Sequence, residues 1–217
     1  MVSREAQTSA GSPWRHGPKP TVGLIGAIGA GKSAAAAAMA ARGGRVVNAD
    51  ALGHEALEQP EIRARLIDRW GTRVLKPDGH PDRRALAAIV FADPAERAAL
   101  EAVVFPYIGR RALAEVLDAQ ADPAARFVVL DAAVMFEAGW NNVCDRVVYI
   151  DAPRETRLAR LAARSGWTAA ELAAREAAQW PAGRKRQLAD AVIVNDAGVR
   201  ELQEKVDQLL GSWGIPV

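Results

Sequence analysis

Eight residues near the start of the chain limit its fold more than any other stretch. Gly26-Ala27-Ile28-Gly29-Ala30-Gly31-Lys32-Ser33 fits the pattern G-x-x-x-x-G-K-[ST], between an apolar run at 22–25 and an alanine-rich helical stretch at 33–42. Glycines at this spacing let the backbone wrap closely around a phosphate. The loop amides and the N-terminus of the next helix then aim donors at its oxygens. Lys32 reaches the β- and γ-phosphates, and Ser33 offers a hydroxyl to magnesium. The loop specifies a nucleoside triphosphate but not the group that receives the phosphoryl. No N-K-x-D stretch is present to read guanine.

Five short apolar runs, at 22–25, 46–47, 127–130, 147–150 and 192–194, are continuous rather than alternating. That pattern belongs to parallel strands buried on both faces. Helical patterns separate them. The helix at 33–42 stops at Gly43-Gly44. Ile62, Leu66 and Trp70 share a face, and Gly71 ends that helix. Asp82 caps a helix running to Phe91. Asp93-Pro94 with Glu96 reads as a cap, a first-turn proline and a capping glutamate. Pro106 is read as the start of another helix toward Gln120, and an extended piece is expected near Val74. Strands alternating with helices predict an α/β fold on a parallel sheet. The helical stretch between Ala51 and Gln120 reads as an inserted substrate subdomain.

Composition excludes several classes. At 217 residues, half of them hydrophobic and a quarter charged, the chain suits one soluble globular domain. A net charge of +2 argues against a dedicated nucleic-acid binder. The single cysteine, Cys144, rules out an intrachain disulfide and a Cys-rich zinc site, and reads as a buried, inert thiol. No apolar stretch approaches the roughly 18–20 residues of a membrane span. Residues 1–19 are polar, lack the apolar core of a secretory signal, and are expected to form a flexible tail. A cytoplasmic enzyme acting on a small molecule, monomeric or weakly self-associating, is the expectation.

Two further constellations bear on chemistry. Asp50 follows the second apolar run, at the carboxyl end of a strand where open α/β sheets place their ligand crevice. It reads as a base for an acceptor hydroxyl, as a ligand to magnesium through water, or as the N-cap of the segment at 51–58. Asp131, after 127–130, stands where a strand-end acid of a nucleotide-binding sheet is expected. Arg154, Arg157, Arg160 and Arg164 fall within about 120° of one helix face, and Leu158 and Leu161 are read as offset from it. The stripe is either a solvated face or a lid that clamps phosphates. Thr168 and Glu171 form a capping box for a second lid helix, and Lys185 brings positive charge back toward the sheet. His54, His80, Trp167 and Trp180 read as surface or packing residues.

An ordered set of motifs resembles the dephospho-coenzyme A kinase family. It comprises the loop from Gly26 to Ser33, Asn48-Ala49-Asp50, Asp82-Arg83-Arg84-Ala85-Leu86 leading to Val90-Phe91, Val134-Met135-Phe136-Glu137, and the lid through Gln179 to Ala189-Asp190 and Asn195. The resemblance runs from about Thr21 to Leu210. It implies a kinase of nucleoside-monophosphate type with a five-stranded parallel core, a helical acceptor-binding region and a lid. The implied reaction uses ATP and Mg2+ to phosphorylate the ribose 3′-hydroxyl of dephospho-CoA, the last step of coenzyme A synthesis. The core is then 20–50, 126–153 and 187–217, the acceptor region 51–125 and the lid 154–186, within one kinase domain over 20–217.

By the same resemblance, Asp50 matches the proposed catalytic base, and Lys32, Arg160 and Arg164 lie at the phosphates. Gly26 to Ser33 with Ala34 holds the triphosphate, Asn195 falls where adenine is held, Arg84 and Glu137 match acceptor-site positions, and Ser33 is the metal ligand. The chain departs from the family pattern at Asn48 (usually aspartate), Ala34 (threonine), Phe105 (histidine), Ala133 (proline) and Arg157 (a lid glutamine). The phosphate loop also suits two other functions: another small-molecule or nucleotide kinase on the same fold, and an ATP-binding regulatory protein that has lost its acceptor site.

Overall fold

The computed structural model describes residues 14–216. In chain order the elements are β1 (Thr21–Gly26), α1 (Lys32–Ala40), β2 (Gly44–Asn48), α2 (Ala49–Glu58), α3 (Pro60–Trp70), α4 (Arg83–Ala92), α5 (Pro94–Ala121), β3 (Phe127–Asp131), β4 (Arg146–Asp151), α6 (Arg154–Ser165), α7 (Ala169–Ala177), α8 (Ala182–Leu188), β5 (Ala191–Val194) and α9 (Val199–Ser212). They divide into two compact units, Met1–Asn48 with Leu113–Val217, and Ala49–Ala112.

In the first unit the five apolar runs are the five strands, all parallel, in the order β2-β3-β1-β4-β5. Every residue of β1 and β3 is buried, which is why both strands read as unbroken apolar runs. On one face α1 and α9 close a core of Leu24, Met39, Phe127, Ile150, Leu202 and Val206. The alanines of α1 bring that helix close to the sheet. From β1 the chain crosses to β2, and later strands are added on both sides of β1. The loop after β1 therefore leaves the sheet where the winding reverses, the usual place for a ligand in an open α/β sheet.

The tail expected over 1–19 is anchored where it is described. Trp14 packs against the core. The Arg15 amide donates to Asp145 Oδ1 at 2.7 Å, and its guanidinium donates to the Cys144 carbonyl at 2.9 Å. The Lys19 amide donates to Gln120 Oε1 at 2.9 Å. Residues 1–13 of the expected tail lie outside the described residues. Cys144 is buried, and burial pushes its thiol up to about 12, so it stays protonated and inert as expected.

The second unit is helical. Asp82 caps α4 through the amides of Arg84 and Ala85, as expected. Asp93 accepts from the Ala95 amide at 2.7 Å at the start of α5, but Glu96 does not complete a capping box. Its carboxylate instead accepts from Arg69 Nε at 2.8 Å and Trp70 Nε1 at 2.6 Å, fastening α3 to α5. Pro106 does not start a helix, because α5 runs through it without a break. Pro106 forfeits one hydrogen bond, but Val104, Ile108, Ala112 and Val116 continue a buried stripe across it at four-residue spacing. The extended piece near Val74 is a short 3₁₀ turn, Gly71–Val74, followed by a single bridge from Leu75 to Pro81.

Candidate active site

The loop is built on backbone that only glycine adopts readily. Gly29 and Gly31 have φ of +79° and +95°. A Cβ on Gly31 would lie 2.2 Å from Asn195 Nδ2, and one on Gly29 would lie 3.0 Å from the Arg157 carbonyl oxygen. The Ala30 amide turns inward to Ala27 O at 2.9 Å. The amides of Gly29, Gly31 and Ser33 find no acceptor among the described residues. Ser33 is exposed on the first turn of α1. Free amides, a helix N-terminus and a lysine together form an anion cradle.

Lys32 pairs with Asp131, the last residue of β3, and the Asp131 side chain is only 4% exposed. Asn48 stands beside Asp131 in the β2–β3 register. The strand-end acid expected from sequence thus lies against the lysine of the loop.

The arginine stripe on α6 divides in a way neither sequence reading anticipated. Arg157 is buried, donating from Nε to Ala152 O at 3.1 Å and from Nη1 to Ile28 O at 3.1 Å and Glu176 Oε1 at 2.6 Å. Leu161, four residues on, shares this buried face rather than being offset from it. Arg160 is half-buried and donates to Asn195 O at 3.1 Å and Ala30 O at 3.4 Å. Arg154 and Arg164 are exposed; Arg154 lies 3.9 Å from Glu176, and Arg164 meets no partner among the described residues.

Asn195 is buried, and its side-chain amide donates to Ala30 O at 2.7 Å. It also lines a cavity of about 200 Å³ with Gly31, Ala34, Arg160 and Val199. Residues matched to the nucleotide from far apart in sequence are therefore brought together around the loop.

Glu137 lies in the first unit, where it accepts from Lys185 Nζ at 2.6 Å and the Trp180 amide at 3.0 Å. Lys185 is itself buried and also donates to Ala133 O at 2.8 Å and Gln179 Oε1 at 3.0 Å. Lys185, Gln179, Trp180 and Glu176 line a cavity of about 270 Å³ together with Gly26, Ala27 and Ile28. Thr168 and Glu171 form the expected capping box on α7. Guanidiniums cover both tryptophan faces, Arg175 at 4.2 Å over Trp167 and Arg184 at 3.6 Å over Trp180, in keeping with a packing role.

Asp50 and Arg84 lie in the second unit and are both exposed. Asp50 sits inside the first turn of α2 instead of capping it from outside. The α2 helix is fixed to α5 by Glu55, which accepts from the Tyr107 hydroxyl and from Arg111 Nε at 3.0 Å. The hydrogen bond from Tyr107 holds the Glu55 carboxyl below the usual carboxylate range. His80 meets Glu58 at 2.8 Å on the surface, and His54 is exposed.

Sequence reasoning missed the buried contacts of Arg157 and Lys185 and the carboxylates that answer them. Their only sequence signal is the charge itself, at positions whose helical spacing matches buried neighbours.

A dephospho-CoA kinase family model matches residues 20–201. The chain is 42% identical over 194 residues to the dephospho-CoA kinase of Anaeromyxobacter dehalogenans, covering 87% of this chain and 90% of that one. It is 38% identical over 192 residues to the dephospho-CoA kinase of Symbiobacterium thermophilum, covering 86% and 78%. A solved Thermus thermophilus protein superposes with a TM-score of 0.75 at 36% identity, covering 89% of this chain and 97% of that one. A shikimate kinase from Acinetobacter baumannii, at 18% identity and a TM-score of 0.51, covers 89% and 94% and shares the fold.

Proposed function

The chain belongs to the dephospho-CoA kinase family, and on that premise we propose how its residues divide the transfer of a phosphoryl group from ATP to the ribose 3′-hydroxyl of dephospho-CoA. The observation that carries this reading is the cradle at the carboxyl end of β1, with free amides at Gly29, Gly31 and Ser33 and Lys32 beside it.

In this reading the triphosphate lies on those amides, and Lys32 shifts from Asp131 to its β- and γ-oxygens. The donors present fit a magnesium ion that arrives with the nucleotide. Among the described residues no group of three or more His, Cys, Asp or Glu side chains could hold a metal alone. Ser33 offers an exposed hydroxyl and Asp131 a hard carboxylate, enough for an ion that keeps phosphate oxygens and waters as its other ligands. An ion held by Ser33 and Asp131 would supply charge neutralisation to the triphosphate during transfer.

Asp50 receives the proton of the 3′-hydroxyl as that oxygen bonds to the γ-phosphorus and the bond to the β-phosphate oxygen breaks. ADP and coenzyme A are the products. Arg160, already at the loop, and Arg164, with its exposed guanidinium, balance charge on the moving group. Asn195 lines the adenine side, and Arg84 and Glu137 serve the acceptor side. The setting is cytoplasmic, and the protein is monomeric or weakly associated.

A coupled ADP-release assay with ATP, magnesium and dephospho-CoA tests this reading, run beside a no-acceptor control and Asp50→Ala. ADP should appear only with dephospho-CoA. The variant should lose about a hundredfold or more in kcat while ATP affinity stays within about twofold. ATP binding without turnover of dephospho-CoA would instead move the acceptor assignment elsewhere.

A further inference from the structure

The phosphate loop is held from outside at alternate peptides. The Ile28 carbonyl accepts from Arg157 Nη1 at 3.1 Å, and the Ala30 carbonyl accepts from Asn195 Nδ2 at 2.7 Å and Arg160 Nη1 at 3.4 Å. No peptide bond here is cis. In a planar trans peptide the C=O and the following N–H point in opposite directions. A carbonyl fixed outward therefore fixes the next amide inward. The next amides are those of Gly29 and Gly31, two that find no acceptor among the described residues. The intervening Ala30 amide is already spent on Ala27 O.

We infer that Arg157 is a positioning residue for nucleotide binding, which aims the Gly29 amide at the triphosphate by holding the Ile28 carbonyl. This rests on the ATP reading above and adds to it a residue that does not itself touch the nucleotide. Burying a guanidinium is costly unless its donors are matched. Here Ala152 O, Ile28 O and Glu176 Oε1 match it, and Glu176 neutralises it. An apolar side chain such as that of Leu161 on the same face would fill space at lower cost, but it could not orient a peptide. Gly29 lies so close to the α6 backbone that even a Cβ would crowd the Arg157 carbonyl, so the guanidinium acts across a fixed contact.

The test uses the full-length protein with Arg157→Met, which leaves no side-chain donor for Ile28 O, and with Arg154→Met as a control that removes the same charge from the same helix. In Arg157→Met the KM for ATP and the inhibition constant of inorganic triphosphate should rise together by about tenfold. The inhibition constant of adenosine, the KM for dephospho-CoA and kcat should stay within about threefold. That split follows because an amide contact made equally in the ground and transition states affects KM and spares kcat. Arg154→Met should shift none of them by more than about twofold. An unchanged KM for ATP in Arg157→Met would overturn the inference. So would an equal rise in Arg154→Met, which would point to the overall charge of α6. Where Arg157→Met fails to fold, Arg157→Lys carries the test, because an ammonium keeps the charge but lacks the fork for three acceptors. A rise of at least about threefold for ATP and triphosphate supports the inference in that variant, and no rise overturns it. Calorimetry with inorganic triphosphate reads the Arg157 effect even if wild-type protein fails to turn over dephospho-CoA, so failure of the acceptor reading is distinguishable.

Discussion

A buried ion pair whose partner is destined for a substrate has a stability signature. Lys32 and Asp131 have side chains 15% and 4% exposed, so the pair sits in a medium where an unanswered charge is expensive. Asp131→Asn keeps the shape and removes the charge. It should lower the stability of the nucleotide-free protein by about 3 kcal/mol, and the melting temperature by roughly 6–12 °C for a chain of this size. Magnesium-free ATP supplies the missing negative charge without calling on Asp131 as a metal ligand, so the temperature rise on adding ATP in EDTA should be larger in the variant than in wild type. Thermal melts with and without ATP measure both, and equal ATP shifts would mean that Lys32 does not exchange Asp131 for phosphate. At this scale the residues from Gly26 to Ser33 were legible because their geometry is local: glycine conformation, a helix start and a lysine all lie within one octet. Arg157 was not legible, because Ile28 lies 129 residues away and Glu176 lies 19 away. Angular spacing grouped the four arginines but could not tell that the face of Arg157 and Leu161 turns inward.

At the scale of elements, the strands were read correctly because burial on both faces leaves continuous apolar runs. The long helix α5 was misread as two because Pro106 is a strong local stop, overruled here by the buried stripe on both sides of it. Glu96 was misread for a related reason: a capping box competes with any better donor, and Arg69 and Trp70 supply two. The tie between α2 and α5 leads to a pH prediction. The folded-state pKa of Glu55 is lowered, first by the Tyr107 hydroxyl and then by Arg111, against an opposing push from burial. A lowered folded-state pKa means the link stabilises the protein above the ordinary carboxylate value, and that this contribution is lost as pH falls through the folded-state value. Tyr107→Phe removes the main cause. At pH 7 it should cost about 0.5–1 kcal/mol, the low end for a half-exposed hydrogen bond to a charged group. Urea melts from pH 7 down to acid should show the gap to wild type closing as Glu55 protonates. A gap independent of pH would assign the cost to packing of the Tyr107 ring. Because α2 carries Asp50 in its first turn, this tie also steadies the proposed base within its unit.

Across the whole molecule, a parallel sheet separates the edge that binds from the edge that can be used only for stability. The loop, Asp131 and Asn195 all lie at or just beyond the carboxyl ends of strands. The anchors of Trp14 to Lys19 lie at the other edge: Asp145 precedes β4 and also accepts from the amide of Thr21, the first residue of β1, while Gln120 stands near the end of α5. Composition suggested a loose tail because Ser, Gly, Pro and Arg are common in it, and the groups that hold its last residues are 100 or more positions away in sequence. Deleting residues 1–19 should therefore act on stability and leave catalysis alone. The deletion removes the Trp14 contact with the core and the hydrogen bonds of Arg15 and Lys19, and it leaves the Asp145 carboxylate with fewer donors. At about 1 kcal/mol for each buried hydrogen bond, offset by the chain entropy regained, the net loss should be about 2–4 kcal/mol. That corresponds to a fall of roughly 4–16 °C in melting temperature. Below the new melting range, kcat and both KM values should match wild type within about twofold, because nothing at the carboxyl edge has moved. A fall in kcat at a temperature where the truncated protein is still folded would show that the two edges of the sheet are mechanically coupled, with the order of β1 at its first residue reaching the loop at its last.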